Sequence, residues 1–339
     1  LTTSAATTAS QRSLPFGEQV SFIADSTAEA LDARITPLLS LIGSQADRAV
    51  LASLLCGGKR IRTRVTALVA LAIGQPDIDA LVKACTALEL LHTASLIHDD
   101  IIDGSVMRRG NATLHVQTNR GTAILVGDLL VGIAFAEVST LGERAIATLS
   151  HAFTYLCVGQ LSEASLNWGP EAQATIEQYA RHKTGALFGA AFELGALTNG
   201  VPTTAGSAFR AAGESLGLAF QLSDDLLDVR VDVEDLDKDH GADIRNGIPT
   251  LPIWHAFQQL QDQLPGIDRD SGTVTELVAK EATSRGSREF TVHRISELLG
   301  EMRSVMPPVE NRELIEDAVR VVLAGLPEYC LPEPSRGAA

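Results

Sequence analysis

Aromatic residues are scarce in this chain, at 4% of the total, and its 27 basic residues are outnumbered by 42 acidic ones. The formal charge of −15 lacks the clustered Lys and Arg surplus that a phosphate-backbone partner requires, which argues against nucleic acid. A small anion escapes this argument, because bound metal ions invert the local field. Cysteines are few as well. Cys56, Cys85, Cys157 and Cys330 stand far apart with no C-x-x-C pair, so no disulfide frame or zinc site is expected, and a reducing cytoplasm is. Long uninterrupted apolar runs are missing too. Residues 65–73 are too short, and 123–135 are broken by Asp128, where a bilayer span takes about 20 residues. No transmembrane segment is therefore expected. Residues 1–14 lack the apolar core of a signal peptide. They and residues 333–339 are expected to be disordered tails.

What is plentiful is Ala and Leu, with apolar residues recurring at three- and four-residue spacing and almost no sustained alternation of period two. That is the helical period. It predicts helices near 17–44, 46–56, 59–74, 77–103, 119–141, 143–166, 173–199, 203–231, 249–263, 273–284, 288–304 and 310–325. Clusters such as "NWGP", "TNGVPTT" and "RNGIP" mark breaks. Charged residues gather over 230–245, where the pattern lapses into an expected polar loop. No linker divides the middle of the chain, so residues 15–332 are expected to form one large all-α domain.

Two stretches stand apart chemically. "HDDIID" at 98–103 and "SDDLLD" at 223–228 share the spacing D-D-x-x-D, each at the end of a long apolar helix. Residues four apart share a helix face, so Asp99 pairs with Asp103 and Asp224 with Asp228, while Asp100 is rotated by about 100°. Paired carboxylates repel and are disfavoured at the negative end of a helix. A solvated acidic helix end is the bland explanation for one motif; two copies in an apolar chain count against it. A divalent cation answers both objections. Mg²⁺ prefers oxygen ligands and commonly bridges one or two carboxylates to a substrate phosphate.

The face of Asp99 continues backwards through Ser95, His92, Leu88 and Cys85, polar near the carboxylates and apolar beyond. The second helix runs through Gly213, Gly217 and Gln221 to Asp224. Its glycines cost helix stability and suggest close helix approach or room for a ligand. Such walls suit an anionic head on a hydrocarbon tail, as in an allylic diphosphate. Cations should then surround the same mouth. "GGKRIR" at 57–62 opens a helix, whose free N–H groups suit an anion, and its Lys59 and Arg62 share a face. Arg108 and Arg109 follow Asp103 closely, and Lys183 with Thr184 sits inside a long apolar segment. On its own, such a lysine usually snorkels to the surface.

Taken in order, "GGKRIR", "LHTASLIHDDIIDGSVMRRG", "AILVGDLL", "GQLSE", "KTGALF", "FQLSDDLLD" and "GADIRNGIPTLP" resemble the trans-polyprenyl diphosphate synthases over roughly residues 50–255. The resemblance implies an all-α isoprenoid-synthase fold around a central cavity, in a homodimer. It implies condensation of isopentenyl diphosphate with an allylic diphosphate, with three Mg²⁺ ions bound alongside substrate. Asp99, Asp100, Asp103, Asp224, Asp228 and Asp243 would form the metal set. Lys59, Arg62, His92 and Arg109 would bind isopentenyl diphosphate. Arg108, Lys183 and Lys238 would bind the allylic diphosphate, and Thr184 and Gln221 would present oxygens to the developing carbocation.

Two positions depart from the family pattern. Ile248 stands where a lysine is common, and Asp237 where glycine is usual before the lysine. Above the first motif Ala94 and Ser95 are small where bulky residues in the family stop chain growth, so the product is expected to be geranylgeranyl diphosphate or longer. A class I terpene cyclase is the rival enzyme, but it pairs its aspartate motif with an Asn/Ser/Glu metal site. A non-catalytic subunit of a heteromeric synthase should have lost an aspartate motif; Ile248 is the feature in its favour.

Overall fold

The apolar periodicity becomes helix along nearly the whole chain. The structure, a computed structural model, describes residues 14–39, 58–229, 242–261 and 272–324. Its helices are α1 (Phe16–Leu39), α2 (Ile61–Ile73), α3 (Ile78–Ile102), α4 (Leu114–Gln117), α5 (Arg120–Ser139), α6 (Glu143–Ser162), α7 (Gln173–Ala180), α8 (Ala186–Leu197), α9 (Thr203–Asp228), α10 (Ala242–Arg245), α11 (Leu251–Leu260), α12 (Gly272–Ala282), α13 (Arg285–Val305) and α14 (Arg312–Val322). A π-helical turn, Arg181–Gly185, lies between α7 and α8. The sheet among the described residues is one antiparallel ribbon of β1 (Met107–Arg108) and β2 (Asn111–Ala112). The fold is all-α, as the spacing predicts. The helix expected over 46–56, and both expected tails apart from Leu14, fall outside the described residues.

The described chain groups into two compact units. One comprises residues up to Phe153, Leu187–Arg210 and Pro307–Val321; the other comprises Thr154–Ala186, Ala211–Met306 and the remainder. In the first, α3 packs along α5 and against α1 and α2. Asp77 caps α3 by accepting the Ala80 N–H at 3.2 Å, and Asn119 caps α5 by accepting that of Thr122 at 2.9 Å, each satisfying a donor the helix leaves orphaned. α2 is buried almost all round from Val65 to Ala72, and Leu81, Leu88, Leu90 and Leu91 of α3 are fully buried. Each such leucine contributes about 1.5–3 kcal/mol of burial.

By length and composition α3 and α5 could each cross a membrane, contrary to the expectation from uninterrupted runs, because a windowed average tolerates isolated charges such as Asp128. The apolar window of α3 is 72% buried within the protein and that of α5 39%. α3 is a core helix. α5 keeps an outward apolar face bearing Ile124, Leu125 and Leu129.

In the second unit, Ile253, Phe257 and Leu260 of α11 meet Val274 and Val278 of α12 and Val229, with Trp168 packed alongside. The Trp254 indole donates to the Gly169 carbonyl at 2.9 Å. Arg294 on α13 makes a two-pronged bond to Glu177 on α7, at 3.0 and 2.9 Å, geometry that favours arginine for its planar fork.

Candidate active site

The two aspartate motifs fall in different units, and each gathers its own polar cluster. In the first unit the chain enters α2 through Gly58 (φ 103°) and Arg60 (φ 45°). Lys59 is exposed in this loop. Arg62, in the first turn of α2, lies 5.1 Å from the Phe188 ring centroid, within cation–π range. Its Nε is buried with no hydrogen-bond partner. Burial, and the Arg109 charge against the opposing pull of Glu89, bring its pKa down to about 10.

The chain after α3 explains how two adjacent arginines serve different places. β1 and β2 join through a two-residue turn, Arg109–Gly110, with positive φ at both (50° and 77°), as a type I′ hairpin requires. Arginine is uncommon in that conformation, and such strain clusters at functional sites. The ribbon sends Arg108 to Asp100, donating from Nε to Oδ1 at 2.7 Å. Arg109 lies against Gly58, where a Cβ would sit 2.9 Å from its Nη1; the φ of 103° is what favours glycine there. Burial first, then Arg62, Arg109 and Arg108, hold His92 well below the usual imidazole range. His92 is thus held neutral, buried beside three arginine charges.

The three carboxylates of this motif are not equivalent. Asp103 is exposed at the end of α3 and Asp99 half-exposed. Asp100 is 2% exposed; burial raises its pKa even against the Arg108 charge. The structure therefore commits Asp100 to Arg108 and leaves Asp99 and Asp103 facing outward. Behind them Ala94 and Ser95 are buried, and the Ser95 hydroxyl donates to the His92 carbonyl at 2.8 Å, so its polarity is spent within its own helix.

In the second unit the π turn carries "RHKTG". Such turns appear most often at functional sites. Gly159 of α6 makes it possible: a Cβ there would lie 2.5 Å from the Lys183 backbone nitrogen. Thr184 donates to Gln221 Oε1 at 2.6 Å, and the Gln221 amide donates to Asp225 at 2.8 Å. The Lys183 ammonium donates to Glu163 at 2.7 Å. Asp224 is exposed, and Asp228 and Asp243 are half-buried. Burial, then Asp228 and Asp224, push Asp243 up to about 6, against the pull of Lys183. Burial likewise raises Asp225 well above the carboxylate range, with Asp243, Asp224 and Asp228 adding to it. These carboxylates crowd one another, and a divalent cation would relieve the repulsion. Among the described residues no three His, Cys, Asp or Glu side chains are grouped so that they could by themselves hold a metal ion. Open carboxylate pairs suit Mg²⁺, which completes its octahedron with water and phosphate.

Lys238 and Asp237 lie outside the described residues. Ile248 is half-buried, its N–H bonded to the Asp243 carbonyl at 2.9 Å. Sequence reasoning gave no roles to Glu163 or Tyr179, although Glu163 ends the "GQLSE" stretch. His98 and His255 sit in packing: His98 fills the space a Gly127 side chain would occupy, and His255 stacks on Phe290 at 4.2 Å.

Comparison with known proteins places this arrangement. Residues 45–282 match the polyprenyl synthetase family. The chain is 35% identical to the nonaprenyl diphosphate synthase of Mycobacterium tuberculosis over 234 residues, 67% of this chain and 69% of that protein. It is 35% identical to the octaprenyl diphosphate synthase of Escherichia coli over 251 residues, 71% and 77% of the respective chains. A crystal structure of polyprenyl synthase from Caulobacter crescentus, complexed with calcium and isoprenyl diphosphate, aligns with a TM-score of 0.72 and 29% identity, covering 88% of this chain and 97% of that one. The chain therefore belongs to the polyprenyl synthetase family, prenyltransferases of all-α isoprenoid-synthase fold.

Proposed function

We propose that this protein condenses isopentenyl diphosphate with an allylic diphosphate, head to tail, and releases geranylgeranyl diphosphate or a longer product. The observation that carries the reading is the cationic patch around His92: burial first, and then three arginines, depress its pKa, and the buried Arg62 Nε has no partner. Such a patch awaits an anion. In this reading Lys59, Arg62, His92 and Arg109 hold the isopentenyl diphosphate, neutral His92 as a hydrogen-bond partner and the others as charges.

Arg108 and Lys183, with Lys238, bind the allylic diphosphate and receive charge on the departing pyrophosphate oxygens, an electrostatic stabilisation of the leaving group. Asp99, Asp103, Asp224, Asp228 and Asp243 hold Mg²⁺, and Asp100 serves by fixing Arg108. Three bound ions would supply the positive charge that lets the allylic C–O bond ionise. Thr184 and Gln221 present oxygens to the resulting allylic cation. The isopentenyl double bond then forms the new C–C bond, and the proton it sheds goes to pyrophosphate, so no side-chain base is required. Closure against water protects the cation.

Small Ala94 and Ser95 leave the wall above Asp99 open to long chains, and relatives named for octaprenyl and nonaprenyl products favour the longer end. The outward face of α5, with Leu125 69% exposed, supports a second copy of this chain as partner, since apolar patches of this kind mark association. The test supplies Mg²⁺ and labelled isopentenyl diphosphate with dimethylallyl, geranyl, farnesyl and geranylgeranyl diphosphates in turn. Chain-extended products from at least one primer are expected, and chromatography gives their length. No extension from any primer sinks the reading, and cyclic hydrocarbon from a lone allylic substrate converts it to a cyclase.

A further inference from the structure

Lys183 belongs to a closed ring of hydrogen bonds that the expected chemistry does not call for. Its ammonium donates to Glu163 Oε2 at 2.7 Å and to the Tyr179 hydroxyl at 3.0 Å. That hydroxyl donates in turn to the same Glu163 oxygen at 2.6 Å. The Gln160 amide approaches this oxygen as well, at 3.5 Å. The ammonium also lies 5.4 Å from the Tyr179 ring centroid. Glu163 and Lys183 are about equally accessible, at 25% and 24% of their side-chain surfaces, so the ring borders solvent without being open to it.

We propose that Glu163 and Tyr179 are positioning residues: they hold the Lys183 ammonium at one place, ready for a diphosphate oxygen. A lysine side chain has many accessible rotamers, and fixing it before substrate arrives moves that entropic cost out of the binding step. Three features support this over a simple surface ion pair. The partners come from different elements, Glu163 from the turn after α6 and Tyr179 from α7, so backbone packing fixes the ring. Two of the three ammonium donors are taken within it, which leaves one for an incoming oxygen. Glu163 is itself held ionised: burial would raise its pKa, but bonds from Lys183 and Tyr179 keep it below the usual carboxylate range. The assignment rests on the reading of Lys183 as an allylic-diphosphate ligand.

The test compares wild type with Glu163→Gln and the milder Tyr179→Phe. Steady-state kinetics vary each substrate separately, and calorimetry measures inorganic pyrophosphate binding in Mg²⁺. Circular dichroism and thermal melting check that the variants fold. Glu163→Gln is expected to raise the allylic KM and the pyrophosphate Kd about tenfold, Tyr179→Phe about threefold, with the isopentenyl KM unchanged within twofold. Glu163→Asp should recover part of the loss. Unchanged allylic KM and pyrophosphate affinity in Glu163→Gln would overturn the proposal, and so would equal increases in both KM values. If wild type extends no primer yet binds pyrophosphate tenfold more tightly than Glu163→Gln, the positioning role stands and the synthase reading falls.

Discussion

The two polar clusters carry opposite imbalances. Around His92 the charges that act on the imidazole are cationic: burial first, and then Arg62, Arg109 and Arg108, lower its pKa. Around Lys183 the neighbouring charges are mostly carboxylates, and burial first, then those carboxylates, raise Asp225 and Asp243. One protein builds both out of helix ends and one tight ribbon. Neither imbalance helps an empty protein, since uncompensated charge near a low-dielectric interior is costly. In the proposed reading a diphosphate supplies the anion for the first cluster and Mg²⁺ the cation for the second.

Removing a carboxylate should break this relation most severely. Asp99→Asn and Asp224→Asn are each expected to cut turnover roughly 10²–10³-fold, the loss usual for one electrostatic group at a reacting centre. Both positions are at least partly exposed, so thermal melting should stay within a few degrees of wild type. Near-normal rates in either variant would remove that residue from the metal set. Gly159→Ala should act more moderately and through the backbone. Its Cβ meets the Lys183 nitrogen at 2.5 Å, and backbone cannot swing aside as a flexible side chain does, so overpacking should cost about 1–3 kcal/mol. Chemical denaturation measures that cost, and a rise in allylic KM larger than any in isopentenyl KM would show that the π turn moved with it.

Much of this was legible in the sequence where periodicity and local chemistry agree. α3 was expected over 77–103 and runs Ile78–Ile102, because Asp77 caps one end and an apolar pattern holds to the aspartates. Lys59 and Arg62 could be placed at a helix start from a Gly-Gly break. The ribbon was not legible. Two-residue strands have no periodicity, and its turn places Arg109 at positive φ, a conformation composition does not announce. Without the ribbon, the separate tasks of Arg108 and Arg109 cannot be read from adjacency. The segment expected as one helix over 173–199 splits at the π turn, whose extra residue leaves the apolar spacing nearly unchanged. Glu163 stayed unassigned because its partner Lys183 is 20 residues on, brought near by packing.

The opposite imbalances also predict opposite responses to acid, the smallest and most discriminating effect. Unfolded histidine takes its proton near pH 6.5, while folded His92 does so well below that value. Between the two, the unfolded state binds more protons, so stability should fall as pH is lowered through this window. The limiting slope for one proton is about 1.4 kcal/mol per pH unit. Asp243 has the reverse sign. Its folded pKa of about 6 exceeds the ordinary 3.8, so the folded state binds more protons between these values and gains stability as pH falls through 6. Chemical denaturation of wild type, His92→Gln and Asp243→Asn between pH 5 and 8 separates the terms. His92→Gln should lose less stability on acidification than wild type, and Asp243→Asn should lose more. Inorganic pyrophosphate with Mg²⁺ should shrink both differences, because each cluster then meets the charge it lacks. Parallel curves for all three proteins would mean that neither imbalance exists in solution.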